Sequence, residues 1–362
     1  MSLLRKLFLV NGFLGSGKTT VITNACKILI KNQVRAGIIF NDQGDQLVDS
    51  LFGEGEGVPS GQVINGCFCC NYNQFMISIA NLEKKFQPEI LFAESVGSCT
   101  DLVATVIKPL QKSGSQVDLV ITVVADATML PVLLKGSVIF DRNVTYIYHK
   151  QLEEADIILV TKTDLLPEGS LAGIKNDFIG RYPDKQFLYI NSFNNNDLEQ
   201  WLEMLANHNK STKRKSLDVD YDAYGAGEAA LAWFDQELEI KSGEKNAREI
   251  AVSLINTIYS AINNKKPGIG HLKFYMEDPE LPLKISFTTM SHSIYSDHLL
   301  PMQKQTQKLL INARVQTSPE HLETIITEAT SWTKDLYQCD INAGDTRSFQ
   351  PGFPTPVHRI EH

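Results

Sequence analysis

The chain is constrained most by its opening. The apolar run Leu7–Val10 passes directly into Gly12-Phe13-Leu14-Gly15-Ser16-Gly17-Lys18-Thr19, and Val21, Ile22, Ala25, Leu29 and Ile30 then recur at helical spacing. A strand, a glycine loop and a helix follow one another without a gap, in the pattern G-x-x-x-x-G-K-[ST]. The glycines let the backbone turn tightly and aim its N–H groups at phosphate oxygens. Lys18 brings a point charge to the β/γ oxygens, and Thr19 brings a hydroxyl for Mg²⁺. Gly12, Gly15, Ser16, Gly17, Lys18, Thr19 and Thr20 are therefore the expected cradle for a nucleotide.

Further apolar runs at Gly37–Phe40, Ile90–Ala93, Leu119–Val124, Ile157–Val160 and Phe187–Ile190 alternate with stretches of helical character, such as Gln74–Phe86 and Asp101–Leu110. This alternation predicts the α/β class, a P-loop NTPase with a mainly parallel sheet flanked by helices. After about Asn207 the pattern changes to alternation on one face, as in Phe234/Leu238/Ile240, Leu272/Phe274/Met276, Leu283/Ile285/Phe287 and Leu309/Ile311/Ala313/Val315. Two helices are expected with these strands, one striped by Ile250, Leu254, Ile258 and Ile262, the other entered at Ser318 and Pro319. The expected domains are a nucleotide-binding domain at 1–209, a polar linker at 210–229, a smaller α+β domain at 230–340 and an extended tail at 341–362.

Lys and Arg number 34 against 42 Asp and Glu, a net charge of −8, which argues against a general nucleic-acid or anionic-membrane binder. No apolar run approaches membrane-spanning length, and the short run after Arg5 and Lys6 reads as the first strand rather than as a signal peptide. Closely spaced thiols in a long chain point to a reducing, cytoplasmic setting rather than a disulfide framework.

Three further strand ends carry candidate groups. Thr161-Lys162-Thr163-Asp164 follows Ile157–Val160, where Asp164 can accept both N–H groups of guanine's Watson–Crick edge and Lys162 can lie over the base. Glu94-Ser95-Val96-Gly97 ends another run, placing Glu94 near the Mg²⁺ shell and the Gly97 N–H near the γ-phosphate. Asp42 offers a second carboxylate, and the glycine-rich stretch Asp42–Pro59 is a candidate switch.

Of the six cysteines, Cys67, Cys69 and Cys70 lie together in Gly66-Cys67-Phe68-Cys69-Cys70. Three thiolates so close can face one soft or borderline cation, leaving open the position that a site passing metal onward needs. A redox pair, Cys67/Cys69 or Cys69/Cys70, and inert thiols are the other readings. Cys99 stands near the same strand ends and reads first as a core or helix-start thiol, with a contribution to the cysteine site as the other reading. Cys26 reads as core, and Cys339 has no evident partner. The histidines, including His271, His292 and His298, do not cluster.

GFLGSGKTT, GCFCC, ESVG and the stretch Gln151–Asp156 leading into ILVTKTDLL together resemble the CobW-type GTPases, relatives of the urease- and hydrogenase-maturation GTPases. The resemblance covers residues 6–205. It implies GTP/GDP as nucleotide, with Gly12–Thr20 on the phosphates, Lys18, Thr19, Asp42 and Glu94 serving hydrolysis, and the last three shaping the Mg²⁺ site. Lys162 and Asp164 would read guanine, and Cys67, Cys69 and Cys70 would bind Zn²⁺ or Co²⁺. It also implies slow GTP hydrolysis, delivery of the metal to a client metalloprotein, and compatibility with a nucleotide-dependent homodimer. The alternative is a metal- or redox-sensing regulator without delivery. The chain departs from the family where Asn-Glu-Phe-Gly is usual and Asn41-Asp42-Gln43-Gly44 stands here, and where Thr161 replaces asparagine or serine.

Overall fold

A computed structural model describes residues 6–43, 57–113, 117–134, 139–208, 214–291, 295 and 303–361. Most of the candidate switch at 42–59 lies outside these residues, as do His292 and His298.

The described residues divide into two compact units, one running to Gly227 and including Phe353 onward, the other spanning Glu228–Gly352. In the first, the apolar run after Lys6 becomes strand β1 (Lys6–Asn11), buried from Leu7 onward because helices cover both faces of the sheet. It leads through the glycine loop into helix α1 (Lys18–Lys31). Strands β2 (Ala36–Asn41), β3 (Ser60–Val63), β4 (Ile90–Glu94), β5 (Asp118–Asp126), β6 (Ile157–Thr161) and β7 (Gln186–Tyr189) complete a seven-stranded sheet in the order β3-β2-β4-β1-β5-β6-β7. Every pairing in it is parallel. Strand β1 is central, so its loop and those after β2, β4 and β6 open on the same edge of the sheet.

Helix α2 (Tyr72–Phe86) follows the cysteine motif and buries Tyr72, Phe75, Ile79 and Leu82 on one stripe. The helix expected over Asp101–Leu110 begins as a π-helical turn, Val103–Ile107, before continuing as Lys108–Lys112. Such turns accompany sites where a loop geometry is held against helical regularity. Here Asp101 has φ 62 and its carbonyl accepts from the Thr105 hydroxyl.

The second unit is an antiparallel sheet in the order β10-β9-β11-β8-β12, formed by β8 (Ala232–Lys241), β9 (Ile269–Glu277), β10 (Leu283–Phe287), β11 (Thr306–Val315) and β12 (Asp340–Phe349). Its core joins Phe234, Leu238, Leu272, Phe274 and Ile311 to the stripe Ile250, Leu254, Ile258 and Ile262 of helix Ala247–Asn263. The second helix, Pro319–Tyr337, starts as expected, with the Ser318 hydroxyl accepting from the His321 N–H.

Two stretches differ from the expectation. Residues 221–229, read as part of a polar linker, form helix Tyr221–Ala229, whose Tyr224 is buried. The stretch from 341, read as an extended tail, begins within strand β12. That strand is an edge with mostly exposed side chains, so it lacks the apolar alternation that marks a half-buried strand.

Candidate functional site

The glycine loop is shaped by backbone that side chains rarely adopt: Gly12 has φ 137, Gly15 φ 73 and Gly17 φ 95. A Cβ on Gly12 would meet the Val124 carbonyl oxygen at 2.2 Å, so only glycine fits beside β5. Lys18 donates to the Gly12 carbonyl at 2.7 Å and to the Phe13 carbonyl at 3.3 Å, folding over the loop it will serve. The Thr19 hydroxyl donates to Glu94 Oε1 at 2.9 Å, and both side chains are buried. The structure thus brings together two hard oxygen donors from α1 and β4 at the mouth of the loop. Such a pair suits Mg²⁺, which takes one or two protein oxygens and completes its shell with phosphate and water.

Two side chains to which the sequence reading gives no role in the site organise this edge. Asn11, ending β1, accepts from the Gly12 N–H at 2.8 Å and from the Ser95 hydroxyl at 2.7 Å, and donates to the Cys99 carbonyl at 3.2 Å. Gln151 donates to the carbonyls of Gly97 at 3.0 Å and Cys99 at 2.8 Å. Asn11 therefore ties the phosphate loop to the segment Glu94–Cys99, and Gln151 holds the end of that segment from the helix Arg142–Glu154. A buried amide at a strand end could have flagged Asn11 in the sequence, but its partners lie some eighty residues away.

At the far strand end, Lys162 occupies the left-handed region with φ 58. Its ammonium donates to the Gly15 carbonyl at 2.8 Å and pairs with buried Asp126 at 2.6 Å. Asp126, also missed, is the group that holds the lysine beside the phosphate loop. The Thr161 hydroxyl donates to the Ser16 carbonyl at 2.7 Å, which gives this departure from the family pattern a positioning role. Asp164 lies exposed in a short 3-10 turn, Thr163–Leu165.

The cysteine motif sits in the loop between β3 and α2. Asn41, ending β2, donates to the carbonyls of Val63 at 3.0 Å and Gly66 at 2.8 Å and accepts from the Phe68 N–H at 3.0 Å. The Asp42 carbonyl accepts from the Gly66 N–H at 3.4 Å. Gly66 has φ 147, and a Cβ there would come within 2.7 Å of the Asn71 amide nitrogen. So held, Cys67, Cys69 and Cys70 converge with their sulfurs within 4.8 Å of one another. Cys67 and Cys69 are 2.8 Å apart, Cys69 and Cys70 3.8 Å. The first two thiols are buried and Cys70 is half-buried.

Hydrogen bonds from Cys69, Cys70 and Cys99 hold Cys67 well below the usual thiol range. Cys69 is held well above that range, chiefly by its bond to Cys67, and the same partner pushes Cys70 up to about 12. Clustered thiols give up their protons when a soft cation binds them. Cys26 is buried in α1 and Cys339 in the second unit, as core thiols.

Residues 353–361 run across this cluster. The Val357 N–H donates to the Cys69 carbonyl at 2.9 Å, a backbone N–H of Thr355 bonds Cys70, and the Ile360 N–H donates to the Ala104 carbonyl at 2.9 Å. Arg359 pairs with fully buried Asp101 at 2.8 Å, while His358 sits edge-on to Tyr72. No periodicity marks this segment in the sequence, because backbone groups and one arginine do the docking.

No helix among the described residues is long and apolar enough to cross a membrane. Among known proteins, the chain is 29% identical over 197 residues to a zinc chaperone CobW of Sinorhizobium sp, covering 48% of this chain and 54% of that protein. It is 27% identical over 192 residues to a zinc-regulated GTPase metalloprotein activator 1 of Dictyostelium discoideum, covering 44% and 40%. The chain thus spans only about half the length of these relatives. The crystal structure of hydrogenase maturation factor HypB from Archaeoglobus fulgidus is similar at 17% identity and TM-score 0.41, covering 56% of this chain and 89% of that one. The profile described as CobW/HypB/UreG, nucleotide-binding domain, matches residues 6–188, half of the chain, and the protein belongs to that family.

Proposed function

We propose that this protein is a GTP-binding, slowly hydrolysing metallochaperone that holds a transition metal at Cys67, Cys69 and Cys70 and passes it to a client metalloprotein. The observation that carries this reading is the convergence of three cysteine sulfurs within 4.8 Å on the edge of the sheet that presents the phosphate loop. The relatives named as zinc chaperone and zinc-regulated GTPase activator favour zinc as cargo, and three thiolates suit cobalt equally.

In this reading the backbone N–H groups of Gly15–Thr20 bind the phosphates, and Lys18 leaves the Gly12 and Phe13 carbonyls to reach the β/γ oxygens. Bound Mg²⁺ supplies positive charge to the transferring phosphoryl group. Thr19, Glu94 and Asp42 orient its shell, and Gly97 offers its N–H to the γ-phosphate. Asp164 reads the guanine edge, and Lys162, steadied by Asp126, lies over the base. Water is the acceptor, and no base for it is assigned among the described residues. The unit running to Gly227 and including Phe353 onward is the GTPase domain and Glu228–Gly352 the smaller domain; the setting is cytoplasmic, and a nucleotide-dependent homodimer fits the class.

Delivery requires the triphosphate and diphosphate forms to differ in metal affinity. Titrating reduced protein with zinc and cobalt in the presence of GDP or a non-hydrolysable GTP analogue tests this. Tighter binding with the analogue, abolished in a Cys67/Cys69/Cys70→Ser variant, is the expected result; equal affinity in both states would sink the reading. The 2.8 Å approach of Cys67 to Cys69 favours a second reading, a metal- or redox-sensing regulator. It predicts no metal transfer to any apo-protein.

A further inference from the structure

Cys99 stands outside the cysteine motif and outside the trio of sulfurs that lie within 4.8 Å of one another, yet its buried thiol is a side-chain neighbour of both Cys67 and Cys69, so the cluster would have to tighten around an ion to include it. Its backbone is fixed on several sides. The N–H donates to the Val96 carbonyl at 2.9 Å, and the carbonyl accepts from Asn11 at 3.2 Å and from Gln151 at 2.8 Å. This much restraint on one loop residue sets the direction of its sulfur.

We propose that Cys99 is the fourth thiolate of the metal site, so that one tetrahedral cation is held by Cys67, Cys69, Cys70 and Cys99. The inference rests on the reading that the three motif cysteines hold a metal, and it completes their set. Zinc–thiolate bonds of about 2.3 Å place the sulfurs of a tetrahedron about 3.8 Å apart. Cys69 and Cys70 already have that separation, and Cys67 and Cys69, at 2.8 Å, would open by about 1 Å as the ion enters. Cys99 joins on the side of Cys67 and Cys69, the two buried thiols, leaving half-buried Cys70 toward the route of entry. The cation class is soft or borderline, Zn²⁺, Co²⁺ or Cd²⁺, and each thiol still protonated releases its proton on binding.

The site also gains a physical line to the nucleotide. Gln151 grips the carbonyls of both Gly97 and Cys99, and Asn11 grips Cys99 and the phosphate loop together. Among the four ligands, Cys99 is the one in the loop expected to face the γ-phosphate.

The test uses full-length reduced protein loaded with one equivalent of Zn²⁺ or Co²⁺. X-ray absorption at the zinc edge of the wild type is expected to count four sulfurs at about 2.3 Å, a measurement that needs no variant. Cys99→Ser and Cys99→Ala are each expected to reduce the count to three and to lower the cobalt–thiolate charge-transfer intensity by about a quarter, one bond in four. A far-UV circular-dichroism spectrum and a cooperative thermal transition like those of the wild type show that each variant is folded. Three sulfurs with one nitrogen or oxygen in the wild type would overturn the proposal, with His358 then the first alternative ligand to substitute. A count of four that survives Cys99→Ser would overturn it too. Metal binding that persists in the Cys67/Cys69/Cys70→Ser variant would instead sink the metal-site reading itself, so the two failures are told apart.

Discussion

The phosphate loop and the cysteine cluster open on the same edge of one sheet and are built in opposite ways. The phosphate loop is contiguous: Gly12–Thr19 pass from β1 to α1, and three positive-φ glycines specify their path. The cysteine cluster is a convergence. Asn41 from β2, the motif loop itself, Cys99 after β4, and residues 355–359 each supply a part. Local specification makes the first region insensitive to what happens elsewhere, whereas the second responds to any segment that moves. Asn11 bonds both regions, at the Gly12 N–H and the Cys99 carbonyl, and Gln151 holds the Cys99 side of that link.

Lys18→Ala should break the comparison most sharply. Loss of one charged donor to a transferring group costs about 10²–10³-fold in turnover, so GTP hydrolysis should fall by that amount. Zinc affinity measured without nucleotide should not change, since the Lys18 ammonium bonds the Gly12 and Phe13 carbonyls of the phosphate loop itself. A parallel loss of nucleotide-free zinc affinity would show that the two regions are not separately built.

Glu154 gives the convergent region a pH dependence. Its buried carboxylate accepts from the Val103 N–H at 2.7 Å, fixing the π turn that follows Cys99. Burial pushes its pKa up to about 7, against the Val103 hydrogen bond. Because the folded value lies above the ordinary one near 4.5, this stability is fully present below about pH 4.5 and is lost as pH rises through about 7. Glutamine mimics the protonated acid. Glu154→Gln should therefore gain up to about 3 kcal/mol relative to the wild type between pH 5 and pH 8. Thermal midpoints of both proteins at the two pH values check this, and a difference independent of pH would contradict it.

The contrast between the two regions also explains what could be read from the sequence. The parallel sheet was legible because Leu7–Val10, Ile90–Ala93 and Ile157–Val160 are buried on both faces and so are apolar throughout. Strands β3 and β12 were not, because each lies at a sheet edge; Ser60–Val63 carries one buried residue. The phosphate residues were legible because their chemistry and their backbone requirement coincide in one short string. The positions of Thr19 and Glu94 were legible for the same reason, as both terminate elements with strong periodicity. Asp126 and the bonds that Gln151 makes were not, since their partners are distant in the chain and one-dimensional spacing carries no trace of that; Cys99 was legible only as a thiol near the same strand ends.

Asn41→Leu should weaken the cysteine cluster without touching any sulfur. Leucine is near asparagine in size but leaves the Val63 and Gly66 carbonyls and the Phe68 N–H without their partner. Ligand-orienting groups of this kind are worth about 10–100-fold in metal affinity. Competition with a zinc chelator should show a loss in that range, with affinity for the GTP analogue within about twofold of wild type, because the lost contacts lie on the cysteine loop.

The smallest expected effect isolates the segment that runs across the cluster. Val357→Pro removes one donor, the N–H that meets the Cys69 carbonyl at 2.9 Å, since proline has none. The Val357 side chain is 48% exposed, so little packing is lost with it. The Arg359–Asp101 pair and the Ile360–Ala104 hydrogen bond still dock the segment on either side of the helix start. A net hydrogen bond of about 1 kcal/mol corresponds to about a fivefold change in a rate or an equilibrium. Zinc release to a chelator, followed by stopped flow, should accelerate by about that factor if the segment covers the metal, while nucleotide affinity stays as it was. An unchanged release rate would mean that residues 353–361 brace the Asp101 corner and leave the cargo alone. The convergent site would then consist of three segments rather than four, and Cys70 would be its open side even with this segment in place.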